Sequence, residues 1–161
     1  MTESAPLAAG HPGVPLARLL AMAYRLLVDE LHERLAGRGW TGVRPAFGFV
    51  LLALRDGPAS LGDLPGVLGT TKQAVSKLVD AMVAAGYAER VVDPRDARAR
   101  RVQLSVRGQA LLADVEHIWA ELEEGWAQTL GRARLDQVRA DLETVVRAAH
   151  GGSLPSVRTL D

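Results

Sequence analysis

The chain has no cysteine, which excludes a disulfide framework, a thiolate zinc site and a cysteine redox switch. No apolar run approaches the roughly 18 residues of a membrane span. No basic region followed by an apolar stretch opens the chain, so no secretory leader is read there. A cytoplasmic protein without a membrane partner is the expectation. There is no glycine-rich phosphate cradle, and no Ser-His-Asp, Cys-His or paired-carboxylate grouping is local enough to argue for catalysis. His11, His32, His117 and His150 lack the compact spacing that a zinc site of three or four ligands needs. Neither an enzyme, a cofactor nor a metal is expected.

Net charge is also lacking: 19 Lys and Arg balance 19 Asp and Glu. The distribution says more than the total. From Thr70 to Arg107 there are eight bases (Lys72, Lys77, Arg90, Arg95, Arg98, Arg100, Arg101 and Arg107) against four acids (Asp80, Glu89, Asp93 and Asp96). The remainder holds eleven bases against fifteen acids. One basic region on an otherwise acidic protein steers a single face toward phosphate.

At 161 residues the chain is one domain, or one domain with an oligomerisation element. Residues 1–14 are rich in Ala, Gly and Pro and read as a tail, as do residues 151–161 after Gly151-Gly152. Leu16, Leu19, Leu20, Ala23, Leu27, Leu31 and Leu35 recur at steps of three and four, which predicts an amphipathic helix over 15–36 with Pro15 near its first turn. Phe47, Val50, Leu51 and Leu54 predict a second helix from Pro45 to Leu54. Ser60 with Asp63 reads as a capping box for a short helix to Leu68, though Pro65-Gly66 would either delay its start to near Asp63 or kink it. Thr70 with Gln73 reads as the capping box of the next helix, whose Ala74, Val75, Leu78, Val79 and Met82 face inward. Residues 87–92 and 100–105 read as a two-stranded ribbon with an Asp-, Pro- and Arg-rich tip. Ser105 caps a long helix from Val106 to Leu130, and a last helix carries Leu135, Val138, Leu142, Val145 and Ala149. Asp114, Glu116, Glu121, Glu123 and Glu124 read as the solvated face of the long helix.

The fold class is therefore mainly α with a small β-wing. A winged helix-turn-helix over 37–105 is flanked by an N-terminal helix (15–36) and C-terminal helices (106–150). The flanking helices are more apolar than one small winged domain can cover, which predicts a dimerisation region built by both termini, with Trp126 at its interface. The outward residues Thr70, Thr71, Lys72, Gln73, Ser76 and Lys77 open a helix that fits a major groove. Arg95, Arg98 and Arg100 tip a ribbon that fits the adjacent minor groove. Lys77 suits a phosphate better than a base. A solvated amphipathic face would show the same polar residues; the arginine-tipped ribbon turns the reading toward double-stranded DNA. Arg100 and Arg101 alternate along a strand, so at most one faces DNA at a given point. The rival reading is a winged helix kept for protein contact without DNA.

Three segments carry a resemblance: Leu68-Gly69-Thr70-Thr71-Lys72-Gln73-Ala74-Val75-Ser76-Lys77-Leu78-Val79-Asp80, Asp93-Pro94-Arg95-Asp96-Ala97-Arg98, and Leu104-Ser105-Val106-Arg107-Gly108. The chain resembles the MarR family of winged-helix transcriptional regulators from about Leu16 to Ala149. The resemblance implies a homodimer on a pseudo-palindromic operator, usually repressing and often released by a small-molecule effector. It also implies that Arg98 enters the minor groove. Two departures stand out. Pro65-Gly66 replaces the family's usual Leu-Ala pair, which bears on the geometry of that helix, and Leu104-Ser105 replaces Leu-Thr, which keeps the capping hydroxyl. By the same analogy Tyr24, Trp40, Phe47 and Trp119 are candidates to line an effector pocket; as aromatics they fit a core equally well.

Overall fold

The computed structural model describes residues 13–155. Most of the two expected tails, and His11 with them, lie outside the described residues. The elements run α1 (Leu16–Gly37), α2 (Phe47–Ala53), β1 (Ala59–Ser60), α3 (Leu64–Leu68), α4 (Lys72–Ala84), β2 (Ala88–Asp93), β3 (Asp96–Leu104), α5 (Val106–Leu130) and α6 (Arg132–Ala149). The three strands form one antiparallel sheet in the order β1-β3-β2. This is a mainly helical winged fold.

The core gathers where α1, α2, α3, α4, α5 and the base of the sheet meet. Leu35, Phe47, Leu51, Leu64, Leu68, Val79, Met82, Val102, Leu111 and Ile118 are each buried there. Each such side chain withdrawn from water contributes about 1.5–3 kcal/mol before entropy is subtracted. Tyr87 is fully buried between α4 and β2. Its hydroxyl donates to the Thr41 carbonyl at 2.6 Å, so burial leaves no polar atom stranded.

Several boundaries differ from the sequence expectations. Helix α2 starts at Phe47 rather than Pro45, because Arg44 and Pro45 are spent on a turn in which the Phe47 N–H donates to the Arg44 carbonyl at 2.9 Å. Ser60 does not cap a helix. It lies in β1, and its hydroxyl accepts from the Gly62 N–H at 3.1 Å. Helix α3 is only Leu64–Leu68 with Pro65 in its first turn, where a missing N–H costs nothing. Gly69 then closes it in the left-handed conformation at φ 65°. The α4 cap is Thr71, not Thr70: its Oγ1 accepts from the Ala74 N–H at 3.2 Å. Gln73 is thereby left outside any capping box.

The ribbon also gains a third strand. Ala59 and Ser60 pair with Val102 and Arg101 of β3. Strand β3 begins at Asp96, and Asp93 pairs with Asp96 across the tip, so pairing reaches almost to the end of the wing. Ser105 caps α5 as its sequence position predicts, accepting from the Gly108 N–H at 3.0 Å.

The acidic face of α5 is not simply solvated. Asp114 and Glu121 accept from Arg38 at 3.2 and 2.9 Å, Glu121 also from Arg34 at 3.0 Å, and Glu123 from Arg139 at 2.7 Å. Glu116 pairs with Arg55 and Glu124 with Arg132. These carboxylates fasten α1, the end of α2 and α6 to the long helix. Glu121 shows the balance of terms: partial desolvation pushes its carboxyl up, while the Arg34 hydrogen bond and the charges of Arg38 and His117 outweigh that and hold it below the usual range.

Candidate nucleic-acid interface

Helix α4 buries Val75, Val79 and Met82 against the core. That orientation turns Thr71, Lys72, Gln73, Ser76 and Lys77 to solvent, all of them exposed. Lys72 and Ser76, and likewise Gln73 and Lys77, are one helical turn apart and form two adjoining rows. Thr70 is only half-buried, and its N–H closes α3 by donating to the Pro65 carbonyl at 3.2 Å. Thr71 uses a lone pair for its cap and keeps its hydroxyl proton for an outside acceptor. The sequence-predicted helix residues therefore share one outward end, apart from the half-buried Thr70.

The wing tip is held by its two aspartates through backbone rather than through the arginine head groups. Asp93 Oδ1 accepts from the Arg95 N–H at 2.9 Å. Asp96 Oδ1 accepts from the Arg98 N–H at 2.9 Å. Both are local side-chain turns that fix a loop without consuming a guanidinium. The Arg98 guanidinium makes no hydrogen bond or ion pair among the described residues. Arg95 stands 84% exposed and only 3.9 Å from Asp93, a weak surface contact. Arg100 reaches back to the Ala97 carbonyl at 3.2 Å. Arg101 lies on the other face of β3, where it donates to the Pro58 carbonyl and approaches Asp93 at 4.0 Å. Of this neighbouring pair Arg100 is exposed and Arg101 is held inward.

Two other bases of the basic segment are engaged inside the fold. Arg90 of β2 pairs with Asp80 of α4, which ties the wing to the helix beside it. Arg107 lies over the Tyr87 ring at 5.0 Å. Sequence reasoning missed the Asp80–Arg90 pair, because a contact between a helix and a strand ten residues apart leaves no periodic signal.

The aromatic residues divide. Tyr24 and Trp119 line a cavity of about 310 Å³ among α1, α2 and α5, together with Leu31, Phe49 and Val115. Phe47 and Trp40 do not line it. Phe47 is a core residue with its ring 6.2 Å from that of Tyr87. Trp40 also packs against Tyr87, with ring centroids 6.1 Å apart, and its Nε1 donates to Asp114 at 2.6 Å. The cavity adds four polar residues that sequence reasoning did not place there: His32, Arg44, Arg55 and Glu116. Burial pushes the His32 imidazole below its ordinary value, against the opposing pull of Asp29.

Residues 42–99, which hold α2 through most of the wing, match the family model described as the MarR family. Over that segment the chain is similar to the MarR family. Solved structures agree on the fold. The reduced form of MarR from E. coli superposes with a TM-score of 0.70 at 23% identity, covering 84% of this chain and 99% of that one. A MarR mutant from E. coli complexed with operator DNA gives 0.66 at 24% identity, covering 83% and 94%. The transcriptional regulator Tm0710 of Thermotoga maritima gives 0.59 at 25% identity, covering 86% and 98%. Among curated proteins, the exopolysaccharide II synthesis transcriptional activator ExpG of Rhizobium meliloti is 28% identical over 135 residues. That match covers 84% of this chain and 66% of the relative, so the chain spans just under two thirds of that relative's length. The MarR-type fold thus extends well beyond the winged segment, over α1 and α5 as well. No helix of the described residues is long and apolar enough to cross a membrane.

Proposed function

We propose that the chain is a homodimeric transcriptional regulator that binds double-stranded DNA through α4 and the wing. The observation that carries this reading is the free Arg98 guanidinium at a tip whose aspartates are occupied with backbone. A cation held out on a braced hairpin, with no internal partner, suits a narrow and electronegative minor groove. The outward α4 rows supply what a major groove reads: Gln73 can donate and accept at a base edge, Lys72 can donate, and Ser76 and Lys77 can reach phosphate. Thr70, half-buried, serves the junction rather than a base.

The dimer reading rests on apolar surface that one chain leaves uncovered. Leu16 (67% exposed), Leu19, Leu20, Met22 and Leu26 of α1 and Val138, Leu142 and Val145 of α6 are open to solvent. Uncovered apolar stripes on two terminal helices mark an interaction surface, and a second copy of the chain carries the same stripes. Trp126, by contrast, is half-buried within its own chain. A two-fold dimer would set two α4 helices one DNA turn apart, about 34–36 Å. Repression follows from occupancy of the operator. Release follows from an effector in the α1/α2/α5 cavity that favours a dimer with the wrong spacing.

Selection of binding sites from random double-stranded DNA by the purified protein tests this. An inverted repeat with half-sites about 10 base pairs apart is the expected product. An unenriched pool at low salt would refute the reading.

A further inference from the structure

Lysine is almost absent from this chain. Of its 19 basic side chains 17 are arginine, and the two lysines, Lys72 and Lys77, both stand on α4. Charge does not explain the difference, since arginine serves phosphate and base edges at least as well. Reactivity separates the two. An amine reaches its nucleophilic free base near neutral pH and a guanidinium does not, so acyl transfer takes lysine and passes over arginine.

The two kinds of base also differ in what they hold. Among the described residues every ion pair from a lysine or arginine is made by arginine. Arg34 and Arg38 fasten α1 to α5, Arg132 and Arg139 fasten α6 to it, and Arg90 ties the wing to α4. Neither lysine makes a hydrogen bond or ion pair among the described residues, and both are exposed. Asp80, the carboxylate one turn beyond Lys77, is already taken by Arg90. Loss of either ammonium charge therefore breaks no contact inside the fold. Lys77 lies about 140° further round the helix than Lys72, so the pair flanks the outward strip that carries Gln73 and Ser76.

We propose that Lys72 and Lys77 are Nε-acylation sites through which an activated acyl donor, an acyl phosphate or an acyl thioester, switches off DNA reading. For its regulatory meaning this rests on the DNA-binding reading above. The free-base Nζ attacks the acyl carbonyl carbon and an N–C bond forms. The acyl C–O bond of the phosphate donor, or the C–S bond of the thioester, breaks. Phosphate or thiolate leaves with the electron pair, and the proton lost from nitrogen passes through water to the leaving group. The product is a neutral amide on each side of Gln73. It removes two charges from the basic segment of each chain and leaves every arginine as it was. DNA and acyl donor compete for the same two amines, because a lysine against phosphate is covered.

Acetyl phosphate and acetyl-CoA, each applied to the full chain, test this. Peptide mass spectrometry locates the acyl groups, and fluorescence anisotropy on the DNA selected above reads binding. One or both donors should acetylate Lys72 and Lys77, and the donor that does so identifies the source. The acetylated protein should bind DNA at least about tenfold more weakly, the equivalent of about 1.4 kcal/mol, at an unchanged melting temperature. Lys72→Arg/Lys77→Arg, compared only with itself, should show the same affinity before and after treatment. Protein already bound to DNA should be protected at both lysines. Chain isolated from its native cells in exponential and stationary phase should carry acyl groups at one or both. Lysines that neither donor acetylates, undiminished binding by the acetylated protein, equal acetylation with and without DNA, a double variant that loses affinity on treatment, or unmodified lysines in both growth phases would each overturn the inference. Untreated protein that binds no DNA sinks the regulator reading; untreated and acetylated protein that bind DNA equally sink this inference alone.

Discussion

Gly108 leaves no room for a side chain. A Cβ there would lie 1.8 Å from the Tyr87 carbonyl oxygen, a backbone atom that also accepts from the Ser105 N–H at 3.1 Å. The joint between wing and long helix closes only around hydrogen. Gly108→Ala should cost at least about 1–3 kcal/mol in urea unfolding, the range for forced overpacking; an unchanged midpoint would mean the joint can open without penalty. Arg98 makes the opposite kind of claim, because nothing inside the protein depends on its head group. Arg98→Ala should leave the melting temperature unchanged, weaken specific DNA binding by about 1–3 kcal/mol and lower the salt slope by about 1. An affinity equal to wild type would remove the wing from the mechanism. The two residues also differ in legibility. Arg98 is singled out among the wing arginines only by the family resemblance of its motif. Gly108 stood in a recognisable motif, but its reason is a contact with residue 87 that no local pattern contains.

At the scale of elements, burial pattern was legible and capping was less so. Apolar spacing located α1, α4, α5 and α6. It misplaced the α4 cap by one residue, since Thr70 and Thr71 are chemically equivalent caps and only the backbone extension at Thr71, with ψ 152°, decides between them. It missed β1, because two residues are too short to show alternation. It left the four aromatic residues undivided between pocket and core, since a ring on a cavity and a ring in a core have the same helical spacing. His32 gives a test at this scale. Its imidazole, on the α1 wall of the cavity, has a pKa below its ordinary 6.5 because burial disfavours the charged form. The unfolded chain therefore takes up this proton first. The stabilisation is fully present above 6.5 and is lost as pH falls from there through the folded-state value. Thermal melts on both sides of 6.5 should show a shallower loss for His32→Gln than for wild type; parallel curves would place the acid sensitivity elsewhere.

The whole molecule separates two jobs along the chain. The basic segment concentrates on α4 and the wing, while the uncovered apolar stripes lie on α1 and α6. Contacts between these regions run through Trp40, Asp114 and Tyr87 at the core of the joint. Net neutrality hid this division in the composition, and only the position of the charges exposed it. If the stripes pair two copies, a charge placed on one should separate them. Leu142→Asp, on a side chain 39% exposed in the single chain, should shift the sedimentation coefficient to that of a monomer without unfolding the winged domain. A variant that still sediments as a dimer would place the interface away from α6.

We propose that this chain reads DNA. Fluorescence anisotropy of the purified protein with its own upstream DNA and with scrambled DNA, at two salt concentrations, tests it most directly. Tight binding that prefers the upstream sequence and falls steeply with salt is expected, because lysine and arginine contacts release counterions from phosphate. Absence of binding to either DNA at low salt would contradict it and favour a winged helix kept for protein contact.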